Sequence, residues 1–244
     1  MNVLEIQQTI RGFRNATGLF PEIQIGPDSN TEYTLGIFST AVVSLLLEKK
    51  YEQETTELRS QIAKSLLDVR NADGTWSFDG PGGIYPPDID DTILALSATR
   101  EKLGYDETKR QCRHILEHRV VWKNGLVCTY LDQRRSSPLD IIVNLHTLIG
   151  CQRIGYIPKG LKNHVKSSLY NKTSMTGYYC SERYIRFVID EALDDEEVKD
   201  TIHPALTPHL SIPGEVLFRR RSEEVSYQSP AVSYLLDRIC RIKR

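Results

Sequence analysis

Apolar residues recur at three- and four-residue intervals along most of the chain. Val3, Ile6, Ile10 and Phe13 share one face of a helix, as a 3.6-residue period requires. Leu58, Ile62, Leu66 and Val69 form a second stripe, and Ile93, Leu96 and Leu103 a third, with Leu94 beside it. Residues 37–47 are apolar almost all round, the pattern of a helix buried on most sides. Further helical stretches are expected over 141–149, 165–170, 184–193 and 232–242. No stretch alternates convincingly with period two, so strands are expected to be few and short.

The helices fall into a repeat. Gly18-Leu19-Phe20, Gly74-Thr75-Trp76, Gly125-Leu126-Val127 and Gly177-Tyr178-Tyr179 each lead through a polar loop into an apolar helix, with glycine spacings of 56, 51 and 52. A weaker fifth copy without the glycine starts near Val216-Leu217-Phe218. The following helices are expected over 37–47, 88–99, 139–150, 181–193 and 229–241, with second helices between them, such as 54–69 and 107–118. Two helices per period of about 50 means stacked helical hairpins. Such units form an open solenoid or close into a ring. Long, Gly- and aromatic-rich loops and inner helices apolar on most faces favour closure. The expected fold is therefore all-α, a single α/α-barrel of about five helical-hairpin repeats, with one domain across residues 1–244. Residues 194–215, with three prolines and an acidic cluster, read as a surface excursion.

Composition narrows the function. The 244 residues are 40% hydrophobic and 26% charged, and 31 Lys+Arg against 32 Asp+Glu leave a formal charge of −1. This balance gives no reason to expect nucleic acid as a partner. No apolar run has the length of a membrane-spanning helix, and the N-terminal segment lacks the apolar core of a secretory signal. A cytoplasmic protein is expected, with no transmembrane anchoring. Cys112, Cys128, Cys151, Cys180 and Cys240 are scattered and odd in number. They read as buried or half-buried thiols in a reducing compartment.

The segment richest in chemistry runs from Asn71 to Thr92. Pro86 and Pro87 stop any preceding helix, and Asp88 then stands where a helix N-cap belongs. Three carboxylates, Asp88, Asp90 and Asp91, fall within four residues among Ile89, Ile93, Leu94 and Leu96. Capping and the helix dipole account for one or two of them. Crowded carboxylates cannot all ionise easily, so one keeps its proton. That is what a donor to an alkene or epoxide needs.

Asp88-Ile89-Asp90-Asp91-Thr92 resembles the motif of class II terpene cyclases, including squalene–hopene and copalyl diphosphate synthases. Asp73-Gly74-Thr75-Trp76 is similar to the core of the aromatic repeat of the same superfamily. Ser137-Pro138-Leu139-Asp140-Ile141-Ile142-Val143-Asn144 and Tyr178-Tyr179-Cys180-Ser181 look like later repeats of short bacterial members with the prenyltransferase and squalene oxidase repeat. The likeness runs from Gly18 onward and is strongest over residues 71–99. It implies an α/α-barrel enzyme, an isomerase or lyase of isoprenoid or other natural-product biosynthesis. Asp90 would be the proton donor, Asp88 and Asp91 would tune it, and Thr92 would hydrogen-bond within the same turn. The implied substrate is a small-molecule isoprenoid, and Mg2+ enters only with a diphosphate substrate. The full cyclases carry a second helical domain, for which this chain has no room, so a homodimer, a partner domain or its own loops would close the pocket. An oily substrate also makes a peripheral membrane association plausible.

Trp76, Phe78, Tyr85, Tyr130, Tyr179, Tyr184 and Tyr227 are candidates for a cavity wall, each in or after a repeat loop, with ordinary packing as the competing reading. Asp140 and Asn144 share one helix face. They are either polar pocket groups or a capping Asp with a buried amide. His146 falls on a different face from this pair and reads as structural. Arg219-Arg220-Arg221, and Arg183 with Arg186, are candidate diphosphate contacts beside the reading as solvated surface. Asp194-Asp195-Glu196-Glu197 does not match the metal-binding motif of ionisation-type cyclases. His114 and His118 have zinc-ligand spacing but no third ligand nearby. Two other readings remain open: a non-terpenoid cyclase or isomerase on the same barrel, and a non-catalytic prenyl-chain binding module.

Overall fold

The structure, a computed structural model, describes residues 3–25, 31–51, 53–131, 137–171, 182–193, 216–220 and 225–241. Its elements run α1 (Val3–Gly12), β1 (Ile23–Ile25), β2 (Thr31–Tyr33), α2 (Ile37–Tyr51), α3 (Thr56–Asp68), α4 (Ile89–Leu103), α5 (Tyr105–His118), β3 (Trp122–Lys123), β4 (Leu126–Val127), α6 (Ile141–Ile154), α7 (Leu161–Tyr170), α8 (Glu182–Ala192), β5 (Val216–Arg220), β6 (Val225–Gln228) and α9 (Pro230–Arg241). The protein is mostly helical. The strands are short, as expected, yet four of them join in an antiparallel sheet of order β2-β1-β6-β5. Ile23 faces Gln228 and Gln24 faces Tyr227 across the β1–β6 pair, which ties the first repeat to the last strands.

Helices of two kinds alternate. In α2, every residue from Ile37 to Leu47 is buried, and α6 is buried from Ile141 to Cys151. The helices α3, α5 and α7 bury one stripe each: Leu58, Ile62 and Leu66; Cys112, Ile115 and Leu116; Leu161, Val165 and Leu169. Each fully buried Leu or Ile contributes about 1.5–3 kcal/mol, so the all-round burial of α2, α4 and α6 makes them the foundation of the core. The helix α2 packs on α4, α4 on α6 and α6 on α8, while α9 packs back on α2. The one-sided helices sit between successive members, α3 against α2 and α4, and α5 against α4 and α6. One apolar cluster runs from Ile6 to Leu236.

The connections are unequal. Loops that lead into α4 and α6 are long, but α4 passes to α5 through Gly104 alone. The expectation of long loops therefore holds for one direction of crossing only.

The tightest crossing is between α4 and α6. A Cβ on Gly150 would lie 2.4 Å from Ile93 Cγ2 and 3.0 Å from the Ile93 carbonyl oxygen. Gly150 lets the two helices approach this closely. Ile93 lies one turn beyond Asp90 and Gly150 one turn beyond His146, so this contact sets the distance between those side chains. At the opposite ends of the same helices, Glu48 of α2 pairs with Arg59, Arg100 and Arg153. The guanidinium groups of Arg100 and Arg153 there complement the negative ends of α4 and α6.

Candidate functional site

Three repeats build the same local joint. In each, the residue two after the repeat glycine donates its backbone N–H to a polar side chain in the first turn of the next buried helix. Phe20 N donates to Thr40 Oγ1 (2.8 Å), Trp76 N to Thr92 Oγ1 (3.1 Å) and Val127 N to Asn144 Oδ1 (2.8 Å). Thr92 also donates back to Trp76 O (3.1 Å). Its hydroxyl thus bridges sixteen residues of chain rather than closing within its own turn, because the repeat loop lies directly against the helix start. Asn144 Nδ2 donates to Val127 O and Asp140 O. Its amide is committed to backbone, and Asp140 caps α6 by accepting from Ile142 N and Val143 N. Of the two readings of this pair, the geometry matches the capping Asp with a buried amide.

Aligning Thr40, Thr92 and Asn144 aligns Gly36, Asp88 and Asp140 as helix caps. Asp88 is the N-cap of α4, extended at φ −113° and ψ 165°, and its Oδ1 accepts from Asp91 N at 2.9 Å. Pro87 O and Thr129 O hold the approach by accepting from Leu131 N and Ile89 N. Gly36 has no carboxylate to offer, and none would fit: its φ is +80° and a Cβ would lie 2.0 Å from Phe20 O. Glu22 reaches in instead. Its Oε1 accepts from Ser39 N at 3.1 Å, and its Oε2 accepts from the Thr34 hydroxyl.

The buried helices bring four side chains together near their N-terminal ends: Phe38 of α2, Asp90 of α4, His146 of α6 and Tyr184 of α8. His146 Nδ1 lies 3.3 Å from Asp90 Oδ2, and Tyr184 Oη lies 2.8 Å from His146 Nε2. The Phe38 ring is 5.2 Å from the imidazole and edge-on to Tyr184 at 6.2 Å. None of the four is more than 5% exposed.

The electrostatics follow from this burial. Asp88 is held well above the usual carboxylate range by burial, then by the charges of Asp91 and Asp90, and it shares a side-chain hydrogen bond with Asp90. Asp91 is pushed up by burial, then by Asp90 and Glu22. Burial raises Glu22 against the opposing hydrogen bonds of Thr34 and Ser39. Burial, then Asp90 and Asp91, drives Tyr184 well up, so it stays a phenol. A phenol that donates to Nε2 leaves the ring proton on Nδ1, facing Asp90.

These shifts fix the sign of a pH effect. Carboxyls raised on folding contribute stability that is complete below their unfolded values and lost as pH rises through the folded ones. Glu48 and Asp73 are instead held low, by Arg100 and Arg153 and by Thr75 and Arg119 respectively, against the upward push of burial. Their contribution is lost as pH falls through their folded values. The melting temperature is therefore expected to rise as pH falls through the raised folded values toward the ordinary carboxylate range and to drop below about 4. A scanning calorimetry series checks this, and a flat or opposite slope above about pH 5 excludes protonated carboxyls in the core.

His146 is the site residue that sequence reasoning missed. Its own helix sets it on a different face from Asp140 and Asn144, whereas its partners lie on α4 and α8. Phe38 was hidden in a run of apolar neighbours. Trp76 is fully buried, donates from Nε1 to Leu66 O at 2.8 Å and lies under Arg70 at 4.9 Å, so it packs the core at the end of α3. Phe78 and Tyr85 meet edge to face at 6.1 Å in the half-exposed loop before Asp88. Tyr130 forms an isolated bridge with Asp88. The backbone of Tyr227 lies in β6. Tyr179, Arg183's side chain, 194–197 and the side chains of 219–221 lie outside the described residues. His114 and His118 are exposed neighbours on α5, 5.0 Å apart. Among the described residues no group of three His, Cys, Asp or Glu side chains is placed to hold a metal ion. Among them, too, no helix is long and apolar enough to cross a membrane.

No protein-family model and no curated protein matches the chain. A crystal structure of a protein from Actinoplanes is similar, with a TM-score of 0.55 and 15% sequence identity, over 96% of this chain and 72% of that one. At that identity the likeness is one of fold: the chain shares its architecture with the Actinoplanes protein.

Proposed function

We propose that this chain is a class II-type terpene cyclase on an α/α-barrel, with Asp90 as the acid that starts cyclisation. The observation that carries the reading is the buried chain Tyr184–His146–Asp90 beside two further carboxyls, Asp88 and Asp91, that resist ionisation. The neighbour packing of α2, α4, α6 and α8, with α9 back on α2, supports the barrel.

Each group has a task in this reading. Asp88 and Asp91 crowd Asp90 and keep protons within the cluster at neutral pH, the three titrating as a unit. Asp90 gives its proton to the terminal alkene or epoxide of a linear isoprenoid, and the new C–H bond leaves a carbocation. His146 Nδ1–H then hydrogen-bonds the Asp90 carboxylate, and the positive end of α4 stabilises it further. The face of Phe38 offers negative quadrupole charge to the cation. Rings close, and water or a base ends the sequence. A diphosphate, where the substrate has one, stays attached.

One observation favours a second, non-catalytic reading as a prenyl-chain binding module. Asp88 and Asp140 both cap helices, and the rings of Phe38 and Tyr184 pack directly on His146. A product assay separates the two. The protein would be given geranyl, farnesyl and geranylgeranyl diphosphates and squalene, with and without Mg2+, and products read by mass spectrometry. A cyclic product that disappears in Asp90→Asn is the expected outcome. Chain binding without conversion of any of them favours the module, and a product that survives the substitution sinks the acid reading.

A further inference from the structure

The turn that carries the repeat glycine is built in matching form at Arg14 to Pro21 and at Arg70 to Ser77, and the two copies differ in what they leave unpartnered. In the second copy the charge and the amide are answered within the protein. Asp73 and Glu107 offset the charge of Arg70, and Asn71 Nδ2 donates to Thr75 Oγ1 at 3.2 Å and to Ser77 Oγ at 3.5 Å. The first copy has Thr17, Leu19 and Pro21 where the second has Asp73, Thr75 and Ser77. The half-buried Arg14 guanidinium accordingly meets neutral acceptors, Gly18 O, Gln61 Oε1 and Ser65 Oγ, and makes no ion pair among the described residues. Glu57 binds Gln61 Nε2 rather than Arg14, and the charge that acts on Arg14 is the like charge of Arg11. Asn15 Oδ1 accepts from Thr17 N and Leu19 N, both at 3.0 Å, which turns its NH2 away from the loop. With no hydroxyl to receive it, that NH2 makes no hydrogen bond among the described residues.

Both groups line one surface groove of about 440 Å3, together with Phe13, Pro21, Thr34 and Leu35. That is a volume suited to a small ligand. The Thr34 hydroxyl is already given to Glu22, and burial raises Glu22 toward its neutral form, so no carboxylate charge opposes an anion from that side. We infer that this groove binds an apolar chain with an oxyanion head: a phosphate or diphosphate seats on Arg14 and Asn15, and the chain lies along Phe13, Pro21 and Leu35. Each half of the ligand follows from the lining. A chain without the head would cover a guanidinium and an amide and leave them unpaired. A bare anion would leave the apolar wall in water. An oxyanion there takes charge-assisted hydrogen bonds from groups that the protein itself leaves free. The inference requires no chemistry at Asp90.

Titration calorimetry on the whole chain tests it with farnesyl diphosphate, dodecyl phosphate, farnesol and inorganic pyrophosphate. Farnesyl diphosphate is expected to bind, with farnesol and pyrophosphate each at least about tenfold weaker. Thr17→Asp gives the first copy the acid of the second. Asn15→Asp keeps an acceptor for Thr17 N and Leu19 N but puts a carboxylate where the free NH2 stood. Each variant is expected to weaken farnesyl diphosphate by at least about tenfold while the melting temperature stays that of wild type. Dodecyl phosphate bound as well as farnesyl diphosphate makes a lipid phosphate the source of the ligand, and farnesyl diphosphate bound alone makes it an isoprenoid; both outcomes uphold the groove. No binding of either, farnesol bound as tightly as its diphosphate, or an affinity unchanged in both variants overturns it. Binding is read here without turnover, so a failure to form a cyclic product bears on Asp90 and leaves this result untouched.

Discussion

Asp90→Asn is expected to lower product formation by about 10²–10⁴-fold, the range that a positioned acid contributes, while the melting temperature at neutral pH stays equal to wild type or rises. The two halves of this result have one cause. The amide cannot give a proton to an alkene, yet it is nearly isosteric with the carboxyl. Its side chain keeps hydrogen-bonding groups toward both His146 Nδ1 and Asp88. It also removes a carboxyl whose ionised form raises Asp88, Asp91 and Tyr184, so crowding among the buried carboxyls falls. Catalytic groups held against their own stability show this opposition of activity and stability. A variant that is inactive and also unfolds readily would instead place Asp90 in a structural role. Activity by mass spectrometry and unfolding by calorimetry on the same preparation decide the matter.

Trp76→Ala is expected to cost about 3–5 kcal/mol, at the upper end for a buried aromatic residue. The indole is 0% exposed and lies in the joint between the end of α3, Arg70 and the start of α4. Truncation leaves a cavity there and removes the Nε1–H donated to Leu66 O and the ring face beneath Arg70. Leu66 O keeps the Val69 N–H, so the carbonyl is not orphaned and the loss is mainly one of packing. Trp76→Phe, which restores most of the ring but not the donor, is expected to cost only about 1–2 kcal/mol. Urea unfolding midpoints at constant m-value measure both. Equal costs for the two variants would mean that the hydrogen bond, not the volume, holds the joint.

The matching turns before α2 and α4 are written in local signals. The Arg-Asn-x-x-Gly-x-aromatic stretch occurs as Arg14 to Phe20 and again as Arg70 to Trp76. Both copies fold the same turn: Arg14 Nε donates to Gly18 O and Arg70 Nε to Gly74 O. Pro86 and Pro87 followed by Asp88 announced the start of α4, since a missing N–H and a side-chain cap both act within one turn. An apolar stripe marked α3 as one-sided and continuous apolar runs marked α2 and α6 as buried on most faces, because periodicity reports how many faces meet protein; α4, read as a stripe, is buried nearly all round because its polar residues, Asp90 to Thr99, are buried too.

What the sequence by itself determined, then, is the mostly helical character of the chain, the cap at Asp88 and the crowding of Asp88, Asp90 and Asp91. Only the tertiary structure decided which distant side chains meet. His146 and Asp90 are 56 residues apart in the chain, and their contact depends on how closely α4 passes α6 at Gly150. Glu22 came to serve α2 because Gly36 leaves no room for a carboxylate, a clash with Phe20 O that no local pattern records. The division has a physical reason. Hydrogen bonds of caps and turns span a few residues and leave their mark in sequence spacing. The distance between two helices, and so the burial and pKa of the carboxyls between them, is set by the summed packing of many side chains at once.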